Sequence, residues 1–322
     1  MLSRVADALY WTARYVERAE DTSRLLHVNF HGLLDTDVGD RGEAWRDLLR
    51  VIGADEPFRE SYDEYSAQAV TEFLLWHPAN PDSVAACITR ARENARGVRE
   101  QISSEMWERI NRLHLDVARR RRSTVLAHPH DFLAAVIGGS QAFQGVTGAT
   151  LPRGEPYEFL VLGTNIERAA ITTRIVSVNT GSLFGAPADE IALSRATDVL
   201  KSCGSLEAFQ KIESDRSPAR VVAHLLLDRR GPRTVLFCLE RSLASIRAIS
   251  HDGQRPERAV GRVVAELTFT DLLERDREAI DALVGRALRG IGEAGVEIAT
   301  AYFTTRVIVP GPFTHQQQQQ QQ

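Results

Sequence analysis

The chain repeats itself, and that constrains its fold more than any local signal. The segment YVERAEDTSRLLHV from Tyr15 returns as NIERAAITTRIVSV from Asn165, at an offset of 150. Glu17 falls on Glu167, Arg18 on Arg168, Ala19 on Ala169, Thr22 on Thr172 and Arg24 on Arg174. Two further blocks recur in the same order at offset 151. DLLRVIGADEPF from Asp47 matches DVLKSCGSLEAF from Asp198, and SVAACITRARENARGV from Ser83 matches TVLFCLERSLASIRAI from Thr234. Gly53 then superposes on Gly204, Pro81 on Pro232 and Cys87 on Cys238. The expected domain is therefore one body spanning 1–313, made of halves 1–150 and 151–313, with a disordered glutamine-rich tail at 314–322.

Within each unit the period is helical. Leu2, Val5, Leu9, Thr12, Val16, Ala19, Ser23, Leu26, Phe30 and Leu33 follow one another at steps of three and four, the seam of a long amphipathic helix packed along its length. Steps averaging about 3.5 suit helices crossing at shallow angles. The fold class expected is all-α, a helical bundle of two diverged repeats related by a pseudo-twofold axis. Further helices are predicted at about 40–53, 61–76, 81–118 (broken near Ser103 and Ser104), 130–149, 155–184, 188–203, 217–228, 232–250 and 256–300. Gly53 and Gly204 suit helix C-caps, and Pro81, Pro129, Pro218 and Pro232 suit helix starts. Only TTRVIV from Thr304 reads as extended.

Composition excludes several function classes. With 322 residues, 43% hydrophobic and 25% charged, the chain is ordinary globular material. No apolar run approaches the roughly 18 residues of a membrane span, and Arg4 and Asp7 interrupt any secretory signal, so the expectation is a cytoplasmic protein without membrane contact. A net charge of −4 carries no nucleic-acid footprint, and the basic run Arg119 to Arg122 reads as a solvated face. Cys87, Cys203 and Cys238 form no C-x-x-C pair and read as buried small residues. Phosphate-binding and dinucleotide-binding loops and H-E-x-x-H are absent, and no cofactor is expected. GGSQA around Ser140 half-resembles a nucleophile elbow but lies in a helical stretch. His27 and His31, four apart, share a helical face. Without an apparent third ligand they read as helix-surface histidines and no metal is expected. His128 and His130 flank Pro129 as part of a helix start.

The candidate binding residues are charged. Taking 100° per residue from Val16, the side chains of Arg14, Glu17, Arg18, Asp21 and Arg24 form a second stripe opposite the packed seam. One copy alone would read as solvent-exposed local ion pairs. The second copy keeps Glu167, Arg168 and Arg174 but places Ile171 where Asp21 stands and Thr164 where Arg14 stands, which points to partial burial. A pseudo-twofold axis would set Glu17 against Arg168 and Glu167 against Arg18. A second polar cluster, Glu105, Glu108 and Asn111, surrounds Trp107, for which core packing is favoured over a pocket wall.

MLSRVADALYWTARYVERAEDTSRLL together with MWERINRL closely resembles the alpha-E family, helical domains with an E-R motif. The resemblance runs from Met1 to about Phe313. It implies an all-helical fold and genes beside a circularly permuted ATP-grasp ligase, often with a transglutaminase-like protease or a proteasome-like peptidase, and so a role in making or processing a peptide or amide product. The motif maps onto Glu17-Arg18 and Glu167-Arg168. Where the family tends to read G-R-Y-L-E-R-A-D, this chain reads GTNIERAA, with Thr164, Asn165 and Ala170. Three readings stand open: an accessory protein presenting an acceptor to the ligase, with paired arginines gripping a carboxylate or phosphate; an enzyme using the Glu/Arg stripe for acid-base chemistry; and a structural helical protein.

Overall fold

A computed structural model of the chain describes residues 1–32, 41–185, 190–249, 254–273 and 275–303. TTRVIV and the glutamine tail lie outside the described residues. Those described form fifteen α-helices and no strand. They are α1 (Ser3–Gly32), α2 (Arg41–Ile52), α3 (Asp55–Arg59), α4 (Ala67–Trp76), α5 (Val84–Gly97), α6 (Ser104–Arg119), α7 (Arg122–Ala127), α8 (Pro129–Thr150), α9 (Glu155–Gly185), α10 (Glu190–Ser202), α11 (Leu206–Gln210), α12 (Pro218–Leu227), α13 (Val235–Ile249), α14 (Gln254–Thr268) and α15 (Arg277–Tyr302). None is long and apolar enough to cross a membrane.

The two longest helices form the spine. α1 packs against α5, α8 and α9, and α9 packs against α1, α13 and α15. Met1 bonds Glu155, a Cβ on Gly163 would stand 2.4 Å from the Tyr10 carbonyl oxygen, and Arg18 bonds Glu167, so α1 and α9 run side by side in the same direction. Gly163 matters because no side chain fits between the two backbones there. The predicted seam is buried at Val5, Leu9, Val16, Ala19 and Leu26.

Helix ends follow local chemistry. Gly53 and Gly204 take positive φ, 80° and 58°. Each donates to the carbonyl three residues back, while the following amide reaches five residues back: Ala54 to Leu49 and Ser205 to Leu200. That is the Schellman C-cap, which glycine adopts without strain. Ser66, Ser103 and Asp276 cap α4, α6 and α15 by accepting from the amides of Ala69, Met106 and Ala279.

The predicted continuous helix at 256–300 is corrected to α14 and α15, separated by residues 269–276. At about 1.5 Å per residue, 45 residues would make a rod about 67 Å long. Instead Asp271 accepts from the Leu273 amide and Asp276 starts a new helix, so α15 folds back on α14. The helix predicted from 61 begins at Ala67, behind the short α3.

Candidate functional site

α1 and α9 bury charge where they meet. Glu17 is 0% exposed, Asp21 4%, Glu167 5% and Arg233 8%, and Glu20 is fully enclosed. The solvated-face alternative for the α1 stripe is thereby overturned. Burying ions in this way requires close pairing and extensive hydrogen bonding, and the site supplies most of both in two clusters, leaving Asp21 Oδ2 and Arg24 Nε buried without a partner.

In the first, Glu167 of α9 accepts from Arg14 Nε at 2.6 Å and from Arg18 Nε at 2.7 Å. Arg18 also reaches Asp82 at 2.7 Å. Arg14 lies 4.7 Å from the Trp11 ring centroid and donates to the Tyr10 hydroxyl. Burial pushes the Glu167 carboxyl up, but the charges of Arg14 and Arg18 outweigh it and hold the group down at about 2. In the second cluster, Glu17 of α1 receives Arg168 Nε at 2.8 Å, Arg233 at 2.9 Å and Gln144 at 2.7 Å. Glu20 receives Arg24, Arg233, Gln141 and Gln144. Arg233 also donates to Asp21 at 2.5 Å. The expected cross-pairs, Glu17 with Arg168 and Glu167 with Arg18, are both formed.

Asp21 behaves differently from its neighbours. Burial raises its carboxyl to about 8, opposed by Arg233 but reinforced by the charges of Glu17 and Glu20. The short Arg233 contact does not reverse this, because the same guanidinium also serves Glu17 and Glu20. Its Oδ2 is buried without a partner. The folded state thus holds a proton that the unfolded chain releases near 3.8, and the associated stability is fully present below that pH and lost as pH rises through about 8. Asp21→Asn, neutral at every pH, is expected to gain melting temperature relative to the native chain progressively from pH 5 to about pH 8 and to level off by pH 9. A difference that stays constant across that range would show Asp21 ionised throughout.

Of the remaining candidates, Glu105 and Asn111 separate from this centre, while Arg174 stands beside the first cluster, within reach of the charges of Glu167, Arg18 and Arg14. Arg174, half-buried on α9, has no hydrogen-bond or ion-pair partner among the described residues, and burial lowers its pKa. Glu105 is exposed on α6 and makes no contact with the buried network. Asn111 accepts from Arg92 of α5 at 2.8 Å, and Trp107 packs partly against the core with Arg92 and Arg99 over its ring. That cluster is a surface brace between α5 and α6, not part of the network. Ser140 is buried within α8 and its Oγ has no partner, so it is no elbow. All three cysteines are buried and free, and burial pushes their thiols up to about 12, which removes them as nucleophiles.

Sequence reasoning missed Glu20, Asp82, Gln141, Gln144 and Arg233. Glu20 had a signal, since it stands only about 40° from Val16 on the seam of a packed helix. Asp82 and Arg233 also occupy matching places, each directly after the superposed prolines Pro81 and Pro232. The glutamines of α8 had none.

A cleft of about 260 Å³ opens beside the second cluster. Its lining includes Phe143, Leu160 and Phe237 on the apolar side and Gln144, Asn165, Arg168 and Arg241 on the polar side, and no carboxylate. Arg168 uses three N–H groups, on Glu17, Gln144 and the Pro232 carbonyl, and a guanidinium has five. Arg241 is exposed and unpaired among the described residues. Around the whole centre, the guanidiniums of Arg14, Arg18, Arg24, Arg168, Arg174 and Arg233 outnumber the carboxylates of Glu17, Glu20, Asp21, Asp82 and Glu167. The arrangement can receive an anion.

Comparison with known proteins gives relatives without an assigned activity. Uncharacterized proteins of Mycobacterium tuberculosis (strain H37Rv) and Mycobacterium bovis are each 26% identical over 335 residues, covering 96% of this chain. The chain spans only 37% of their length. No solved structure matches. The Alpha-E description, "a predicted alpha-helical domain with a conserved ER motif", matches residues 1–303. Both buried Glu-Arg pairs fall inside that range, and the chain belongs to the Alpha-E family.

Proposed function

We propose that this chain is a helical substrate-binding partner of a circularly permuted ATP-grasp amide ligase, holding a carboxylate-bearing amino acid or peptide in the cleft beside Arg168. The observation that carries the reading is the cleft's polar lining: two arginines with spare donors, two amides and no acid. A carboxylate placed there gains charge-assisted bonds and meets no acid in the lining, the Glu17 charge behind Arg168 being shared with Arg233. The volume is below the roughly 300–1,000 Å³ typical of drug-sized ligands, so one amino-acid or dipeptide-sized group fits. A transglutaminase-like protease acting on the same product is a further partner of this reading. A cytoplasmic location goes with this reading, since the proposed partner consumes ATP.

The cleft also makes sense if 1–150 and 151–313 are two copies of one unit in a single domain. α1 to α5 have 30, 12, 5, 10 and 14 residues, and α9 to α13 have 31, 13, 5, 10 and 15. At offset 150, Trp11 and Arg14, stacked on each other, correspond to Val161 and Thr164. The smaller pair lines the cleft. On this reading the second half opened a pocket where the first half keeps a filled wall.

An acid-base enzyme is less well supported. Asp21, whose carboxyl is raised toward neutrality, is enclosed in the network and does not line the cleft. The test restores the first half's residues. Val161→Trp with Thr164→Arg is expected to weaken binding of carboxylate ligands at least ten-fold in titration calorimetry, with little change in melting temperature, since neither side chain bonds to the buried ions. Unchanged affinity would remove the cleft from the account.

A further inference from the structure

Away from the charged centre, three histidines meet. His27 and His31 lie on the last turns of α1, four residues apart and therefore on one face. α8 begins at Pro129, and its first turn brings His130 across to them. This corrects the expectation that the pair lacks a third ligand: the third comes from a residue about 100 positions away that reads in sequence as part of a helix start.

The geometry is that of a ligand set. Nε2 of His27 and Nε2 of His31 are 3.3 Å apart, and one ring nitrogen from each of the three histidines lies within 4.8 Å of the others. Zinc held by nitrogens at 2.0–2.1 Å in a tetrahedron sets those nitrogens about 3.3–3.4 Å apart. The α1 pair already has that spacing, and His130, exposed with its ring against those of His27, His31 and Phe30, has roughly 1.5 Å to close by turning about its side-chain bonds. An N–H···N hydrogen bond accounts for the α1 pair at 3.3 Å, while His130 joins them through ring contacts with His27, His31 and Phe30. The three imidazoles do not lie in an apolar pocket, since His31 and His130 are exposed and His27 half-exposed.

We propose that His27, His31 and His130 form a site for a divalent transition ion, zinc foremost, with three imidazole ligands and a fourth position open to water or to an incoming ligand. Three nitrogens and no carboxylate select zinc, copper or nickel over magnesium or calcium. The α1 carbonyl end favours a cation and the α8 amide end opposes it, so the ligands set the affinity. Among the described residues no carboxylate or carbonyl is bonded to the far nitrogens of these rings, a support that usually strengthens binding ten- to a hundred-fold. The ion should therefore be exchangeable. Bound, it would clip the end of α1 to the start of α8 and raise the melting temperature by mass action.

The experiment titrates zinc chloride into metal-free full-length protein by calorimetry, with His130→Ala and His31→Gln alongside and circular dichroism to confirm folding. Cobalt(II) absorption reports coordination geometry. The expected result is one zinc per chain, a melting temperature raised by zinc, tetrahedral cobalt bands, and at least ten-fold weaker binding with loss of those bands in both variants. Both substitutions replace exposed side chains, so the fold should survive them. No saturable binding by the native chain, or binding that both variants leave within two-fold, overturns the site.

Discussion

Replacing Arg233 by methionine is expected to cost the fold about 3–5 kcal/mol, the range for removing one partner of a buried ion pair. Arg233 donates to Glu17, Glu20 and Asp21 together, and all three acids are enclosed. Without it, Arg24 still faces Glu20 and Arg168 still faces Glu17, while Asp21 keeps no cation. Urea unfolding at pH 7 measures the loss. The penalty should shrink toward pH 5, where Glu17, left with Arg168 as its one cation, takes up a proton; Asp21, raised to about 8, is already largely protonated at pH 7. A loss below about 1 kcal/mol would mean that the acids find water or other partners and that Arg233 does not hold the centre together.

Cutting the link between the two long helices should cost nearly as much. Glu17→Gln and Arg168→Met each break the 2.8 Å bond between α1 and α9, and each is expected to destabilise by about 2–4 kcal/mol. Glu17→Gln leaves Arg168 and Arg233 short of an acceptor. Arg168→Met leaves a fully enclosed carboxylate with less compensation, and also frees the Gln144 carbonyl. The double variant should fall short of the summed losses by about 1–3 kcal/mol, the coupling of residues sharing one network. Strict additivity would show that the two residues act separately.

The all-helical architecture was legible because it rests on short-range rules. Seam spacing places α1, Gly53 and Gly204 mark Schellman caps, and prolines mark helix starts. The break between α14 and α15 was not legible, because Asp271 and Asp276 act through turn and cap bonds that apolar periodicity does not register. Of the site, the Glu-Arg stripe was visible as a recurring sequence segment, and the cross-pairing was the arrangement expected if the two segments face each other. Arg233, Gln144 and His130 were not visible, since each reaches its partners from a helix distant in sequence. Glu105 and Asn111 looked alike in sequence to the stripe, and only the packing of α6 on α5 and α8 separates them from it.

The most direct measurement of the central claim is ATP consumption by the proposed partner, a circularly permuted ATP-grasp ligase, over a panel of amino acids and short peptides. It is run without this chain, with the native chain, and with Val161→Trp/Thr164→Arg at matched concentration. The account predicts turnover that appears with the native chain for carboxylate-bearing acceptors and falls at least ten-fold with the filled cleft. Equal turnover in all three arms of a panel on which the ligase is active would contradict it.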